Sequence, residues 1–216
     1  MLVRDCMTHN PITITPDTPV PVALRLMREK RVRRLPVLDS HGKLVGIVSD
    51  KDLLYASPSP ATTLAVWEIP DLLAKIKVEK VMAREVITAS EEMPLEEAAR
   101  IMADRRIGGL PIMRDQTLVG IITESDLFKV LLQLLGGRRS GVRVSVSIPE
   151  VKGTLAKITT AIFGAGGDIV GLGFNEVTGT HGVQWEATFK VQDVPRDKLV
   201  EAIRPVVHEI LDVREV

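Results

Sequence analysis

The sequence predicts a mixed α/β (α+β) protein: a β-α-β-β-α unit used twice in tandem, then a β-α-β-β-α-β ferredoxin-like unit. Three observations carry that expectation. Residues 3–38 match residues 78–113 at eleven of 36 positions, and residues 44–53 match 118–127 at six of ten. Within each copy, apolar spacing passes from a helical period to short strand-like runs. Beyond residue 141 a new pattern begins, with Val142, Val144, Val146 and Ile148 alternating with Arg143, Ser145 and Ser147. A repeat of this length is one supersecondary unit used twice. Two such units complete a shared core and set two equivalent clefts about a pseudo-twofold axis.

Each element has its own reason. In the second copy Leu95, Ala98, Ala99 and Met102 stand at i, i+3, i+4 and i+7, one face of a helix. Residues 110–113 form a short apolar strand, 115–117 a turn, and 118–122 the next buried strand. The first copy repeats this, with Asp39-Ser40-His41-Gly42 as its turn. A helix then starts at Asp50 in one copy and Glu124 in the other. Ser57-Pro58-Ser59-Pro60 ends the first copy, and residues 64–76, with Trp67, suit a connecting helix interrupted near Pro70. Residues 136–141, rich in glycine, read as a flexible linker. In the tail, 142–148 is a half-buried strand, 154–163 a helix stopped by Gly164, and another strand runs from Asp168. Residues 183–191 alternate again, 195–204 suit a second helix, and 210–216 a last strand.

Composition narrows the function. Hydrophobic residues make up 45% of 216, enough for a packed core and too many for a disordered chain. A formal net charge of zero gives no global basic field and 3% aromatic residues leave few stacking platforms, so nucleic acid is not expected as a partner. No apolar run reaches the roughly 18–20 residues of a membrane span. The first residues contain no apolar signal segment, and the lone Cys6 cannot form an internal disulfide; a cytoplasmic protein is expected. Cys6 reads as a small buried apolar residue rather than a reactive thiol. His9, His41, His181 and His208 are scattered, so no metal site is expected. No nucleophile–base pair and no Walker-type loop appears, so no catalytic residue is nominated.

The chemistry that remains sits at two strand-to-helix junctions, G-I-V-S-D-K-D and G-I-I-T-E-S-D. Ser49 and Thr123 stand at the helix starts, with Asp52 and Asp126 three positions on. One reading is a capping box. The other is a ligand site, in which helix-start N–H groups and a hydroxyl hold phosphate while the carboxylate accepts from ribose hydroxyls. The two readings are compatible. Arg33 and Arg34 precede the Leu35-Pro36-Val37 strand and suit phosphate contact, whereas the second copy has Gly108-Gly109 there. The two clefts are therefore expected to be chemically unequal.

With these motifs in order, the two copies resemble cystathionine-β-synthase (CBS) domains paired as a Bateman module. The tail, S-I-P-E-V-K-G-T-L-A-K-I followed by G-A-G-G-D-I, looks like an ACT domain. The whole arrangement is similar to the bacterial acetoin-utilisation B-type CBS–ACT proteins. The resemblance implies CBS domains at 1–56 and 78–136, a connecting segment at 57–77, a linker at 137–141 and an ACT domain at 142–216. It also implies that an adenosine compound such as AMP, ADP or ATP is a regulatory ligand, with no cofactor required. Ser49, Asp52, Thr123 and Asp126 would contact phosphate and ribose, Lys51 and Ser125 would add polar contacts, and Arg33 and Arg34 would hold phosphate. Thr18, Ala23 and Ala98 would line the base pocket, and Pro36, Leu110 and Pro111 are further nucleotide-binding positions; Met93 stands where Thr18 does. In the ACT-like loop Pro149-Glu150-Val151-Lys152-Gly153, glutamate replaces the family's aspartate and lysine its second proline. Glu150, Gly153 and Asp168 would face an amino acid there, or the unit would serve only to dimerise. A homodimer or larger assembly and an unidentified regulated protein complete the implied partners. The competing reading is an interaction adaptor with empty clefts.

Overall fold

A computed structural model describes residues 1–56, 75–149, 151–179 and 182–216. The expected connecting helix at 64–76 lies almost wholly outside the described residues, as do Trp67 and Pro70. The chain divides into two compact units, Met1–Leu127 and Phe128–Val216. Among the described residues, no helix is long and apolar enough to cross a membrane.

In the first unit each copy builds a helix, an antiparallel strand pair and a second helix. The first copy has β1 (Thr8–His9), α1 (Val20–Lys30), β2 (Arg34–Leu38), β3 (Leu44–Ser49) and α2 (Asp50–Tyr55). The second has β4 (Ala89–Ser90), α3 (Leu95–Arg105), β5 (Gly109–Arg114), β6 (Thr117–Thr123) and α4 (Glu124–Leu134). α1 buries Val20, Ala23 and Met27, and α3 buries Leu95, Ala98 and Met102, so both use the apolar stripe seen in the sequence. Each helix ends on an arginine in the left-handed region, Arg31 at φ 54° and Arg106 at φ 53°, where glycine is the usual choice. The β2–β3 turn is closed by Asp39 Oδ1, which accepts from the His41 and Lys43 N–H groups at 2.9 Å each.

The two copies exchange their leading segments. β1 pairs not with its own copy but with β6 of the second, through Thr8↔Ile121 and His9↔Gly120. Ala83, the counterpart of Thr8, pairs with Ile47 on β3. The Val3 N–H donates to Met93 O at 2.9 Å, and the Val78 N–H donates to Thr18 O at 2.9 Å. Val78 and Met82 accordingly sit in the first copy's core with Ile14, Val20, Leu35 and Val37. Gly46 and Gly120 make room for this. A Cβ on Gly46 would overlap the Met82 thioether and lie 3.0 Å from Met82 Cγ; one on Gly120 would meet Met7 in the same way, with Cγ at 3.0 Å.

A buried carboxylate ties down the second copy. Glu91 is 8% exposed and forks onto Arg114, whose Nη2 donates to Glu91 Oε2 at 2.8 Å. That hydrogen bond holds the Glu91 carboxyl below the usual carboxylate range. A depressed folded-state value contributes stability above the unfolded pKa of about 4.3, lost as pH falls through the folded value. Glu91→Gln should therefore melt below wild type at neutral pH, with the gap closing in acid. An undiminished gap at about pH 3 would exclude this ionisation as its source.

The second unit contains β7 (Val142–Ile148), α5 (Thr154–Gly164), β8 (Asp168–Gly179), β9 (Gly182–Gln192), α6 (Arg196–Ile203) and β10 (Glu209–Glu215). Its sheet runs β10-β7-β9-β8, antiparallel throughout, the order of a split β-α-β unit. Phe189, Val144, Val146, Ile158, Ile162, Leu199 and Ile203 form a core with no solvent exposure. β7 departs from the half-buried expectation: Ser145 and Ser147 are 9% and 4% exposed. β7 is an interior strand, and Ser145 Oγ shares a hydrogen bond with Thr188 Oγ1 of β9 at 2.8 Å, so a polar side chain is accommodated there.

The glycine-rich stretch is not a loose tether. Gly136, at φ +62°, is buried against Val170 O and the Lys190 side chain. Gln192 Nε2 donates to Ser140 O at 2.7 Å, and Gly141 exchanges backbone hydrogen bonds with Val216. Composition predicted flexibility here, but packing and hydrogen bonding within the second unit hold it.

Candidate functional site

β3 delivers Ser49 to the start of α2, and β6 delivers Thr123 to the start of α4. Ser49 donates to Asp52 Oδ2 from its N–H at 2.8 Å and from its hydroxyl at 2.6 Å. Thr123 does the same to Asp126 Oδ2, at 3.1 Å and 2.7 Å. The capping box of α2 is complete, with the Asp52 N–H donating back to Ser49 Oγ, and in α4 the Asp126 carboxylate holds its half of the same arrangement. Their environments differ: Asp126 is 7% exposed, whereas Asp52 is open to solvent.

The helix starts also differ from the expected array of unengaged N–H groups. In α2 the Asp50 N–H donates to Arg33 O at 3.0 Å, the Lys51 N–H to Asp50 Oδ1 at 2.9 Å and the Asp52 N–H to Ser49 Oγ at 3.3 Å. In α4 the Glu124 N–H donates to Gly108 O at 3.2 Å. An anion at the start of α2 would have to displace these bonds.

Arg33 and Arg34 part company. Arg33 is exposed, while Arg34 crosses to the second copy. Its Nη2 lies 4.0 Å from Glu124 Oε2, and a Cβ on Gly108 would overlap its guanidinium. The stem passes over Gly109, where a Cβ would stand 3.1 Å from Arg34 Cδ. The Gly108-Gly109 pair is therefore a seat for Arg34. The sequence marks Glu124 only as a helix start, the counterpart of Asp50, and its place beside Arg34 emerges from the fold.

The remaining nominated residues fall into two groups. Ala23, Ala98 and Leu110 are fully buried, and Pro36 and Pro111 are buried on β2 and β5. Thr18 is half-buried, its hydroxyl accepting from the Thr15 N–H at 3.2 Å, while Lys51 and Ser125 are exposed. A crevice of about 480 Å³ over Arg100, Ile101, Asp104 and Arg105 on α3 includes none of them. In the second unit, Glu150 lies outside the described residues. Gly153, at φ +86°, precedes α5 and Asp168 follows it, so the helix, roughly 16 Å long, separates them. Cys6 is half-buried rather than buried as expected; desolvation, with Asp5 alongside, pushes its thiol up.

Comparison with known proteins identifies the family of the paired copies. The model of the CBS domain matches residues 3–59 and 78–133. A CBS domain pair of protein MJ0100, solved with 5'-methylthioadenosine and S-adenosyl-L-methionine, is 30% identical at a TM-score of 0.52, covering 64% of this chain and 98% of that one. CBSX2, solved in complex with AMP, is 32% identical at a TM-score of 0.52, over 61% and 97% of the two chains. A protein assigned to acetoin utilization (AcuB) from Vibrio cholerae is 33% identical at 0.53, over 64% and 95%. The family match takes in both copies and more than half of the residues, and the paired fold agrees with it: this chain belongs to the CBS-domain family.

Proposed function

We propose that this chain is a non-catalytic regulatory protein that senses an adenosine nucleotide through its CBS pair. The observation that carries the reading is the pair of Ser/Thr–Asp constellations, Ser49–Asp52 and Thr123–Asp126, standing at matched helix starts. Solved CBS pairs similar to this one hold AMP, or S-adenosyl-L-methionine with 5'-methylthioadenosine. Ligand would exchange with the caps, Asp52 and Asp126 turning to ribose hydroxyls and Ser49 and Thr123 to phosphate. Ala23, Pro36, Ala98, Leu110 and Pro111 are buried here and would meet the base only once the cleft opens, with Thr18, Lys51 and Ser125 nearer its rim. Binding would shift the protein between states by its differential affinity for them. Nucleotide-dependent melting of wild type and an Asp52/Asp126 variant is the test.

A second reading, an adaptor with unoccupied clefts, draws on the completed caps of α2, which leave its first-turn N–H groups already bonded. The same melting experiment separates the two.

The second unit is read as an ACT-type domain on its β-α-β-β-α-β order, with dimerisation as the role its surface favours over amino-acid binding. Phe163 is 80% exposed and Phe174 49% exposed, large apolar areas for an isolated chain. A dimeric mass by light scattering at tens of micromolar is expected; a monomer there would remove this role.

A further inference from the structure

We propose that Arg34 is a specificity residue of the second copy's cleft rather than of its own, and that Glu124 restrains it until an anionic ligand arrives. Who the ligand is rests on the nucleotide reading; that it is anionic rests on the geometry here. Arg34 is paired through its backbone with Ser49, the helix-start hydroxyl of its own copy. Its guanidinium nevertheless lies over Gly108, next to Glu124 and one residue from Thr123. Arginines at 108 and 109 would collide with it. The glycines of the second copy are thus the complement of the arginine in the first, and one cation serves across the pair.

The contact with Glu124 is made to be exchanged. At 4.0 Å it is longer than a hydrogen bond, and Glu124 keeps 62% of its side chain in solvent while Arg34 keeps 25%. Such a pair is weak. A phosphate offers Arg34 short, charge-assisted, bidentate bonds instead. Glu124 opposes this twice, by attracting Arg34 and by repelling an anion at Thr123. It is a built-in competitor that sets how strongly anions are favoured over neutral ligands.

The test is calorimetric titration of the full chain with inorganic pyrophosphate and, separately, with adenosine. Glu124→Gln should tighten pyrophosphate by about two- to fivefold, the scale of one exposed charge pair, and leave adenosine unchanged. Gly108→Ala, whose Cβ would meet both the Arg34 guanidinium and Glu124 Oε2, the latter at 2.8 Å, should weaken pyrophosphate but by less than Arg34→Ala, because the charge is displaced rather than removed. The Glu124→Gln gain should vanish in the Arg34→Ala background. Unchanged or weaker pyrophosphate binding by Glu124→Gln overturns the proposal, as does a gain that survives without Arg34 or a Glu124→Gln protein that binds no pyrophosphate. Absence of adenosine binding counts against the nucleotide reading alone.

Discussion

Alanine at both Asp52 and Asp126 should abolish the rise in melting temperature expected of the wild-type protein with AMP or ATP. Each carboxylate now accepts two hydrogen bonds from the residue that starts its helix, so each substitution removes a cap. Losing a cap costs about 0.5–2 kcal/mol, and the buried Asp126 belongs at the upper end. Ligand at a hundredfold excess over its dissociation constant stabilises the native state by about 2.7 kcal/mol. At roughly 2–4 °C per kcal/mol, wild type should gain about 5–11 °C from nucleotide. The double variant should start several degrees lower and gain nothing. If the carboxylates are caps and no more, the variant still melts lower, but neither protein responds to nucleotide. A wild type unmoved by any adenosine compound at millimolar concentration would transfer the weight to the adaptor reading.

Met7 and Gly120 should be coupled, though one belongs to each copy. Met7 is 7% exposed and fills the space above Gly120 where a Cβ would stand. Met7→Ala empties that space, for an expected loss of about 2–5 kcal/mol. Gly120→Ala overfills it, for about 1–3 kcal/mol. Together, the new methyl group occupies what the thioether vacated, so the double variant should be more stable than the sum of the two losses predicts. A coupling of about 0.5–3 kcal/mol is the range for residues in contact. Denaturant unfolding of the four proteins measures it. Strict additivity would mean that the leading segment does not pack on β6 as described. The Met82–Gly46 pair offers the same cycle on the other side of the exchange.

Much of this protein is legible in its sequence because the deciding interactions are local. The periodicity of Leu95, Ala98 and Met102 determines a buried helix face, and Asp39 and Gly42 determine a turn, through bonds no more than four residues long. The Ser49–Asp52 and Thr123–Asp126 boxes are likewise three-residue devices, and the repeat itself names the unit and its partner. Tertiary structure alone decided the rest. The sequence pairs Met7 with Met82 and Gly46 with Gly120 as equivalents; only packing shows that each methionine lies on the other copy's glycine. Composition made residues 136–141 a tether, whereas contacts with β8 and β9 bury Gly136. Arg34 reads as a cation of the first copy because its backbone is there, but a long side chain goes where space and charge allow. Gly108 provides the space and Glu124 the charge, both some 75 to 90 residues away along the chain. Periodicity reports which face of an element is buried, not which distant element buries it.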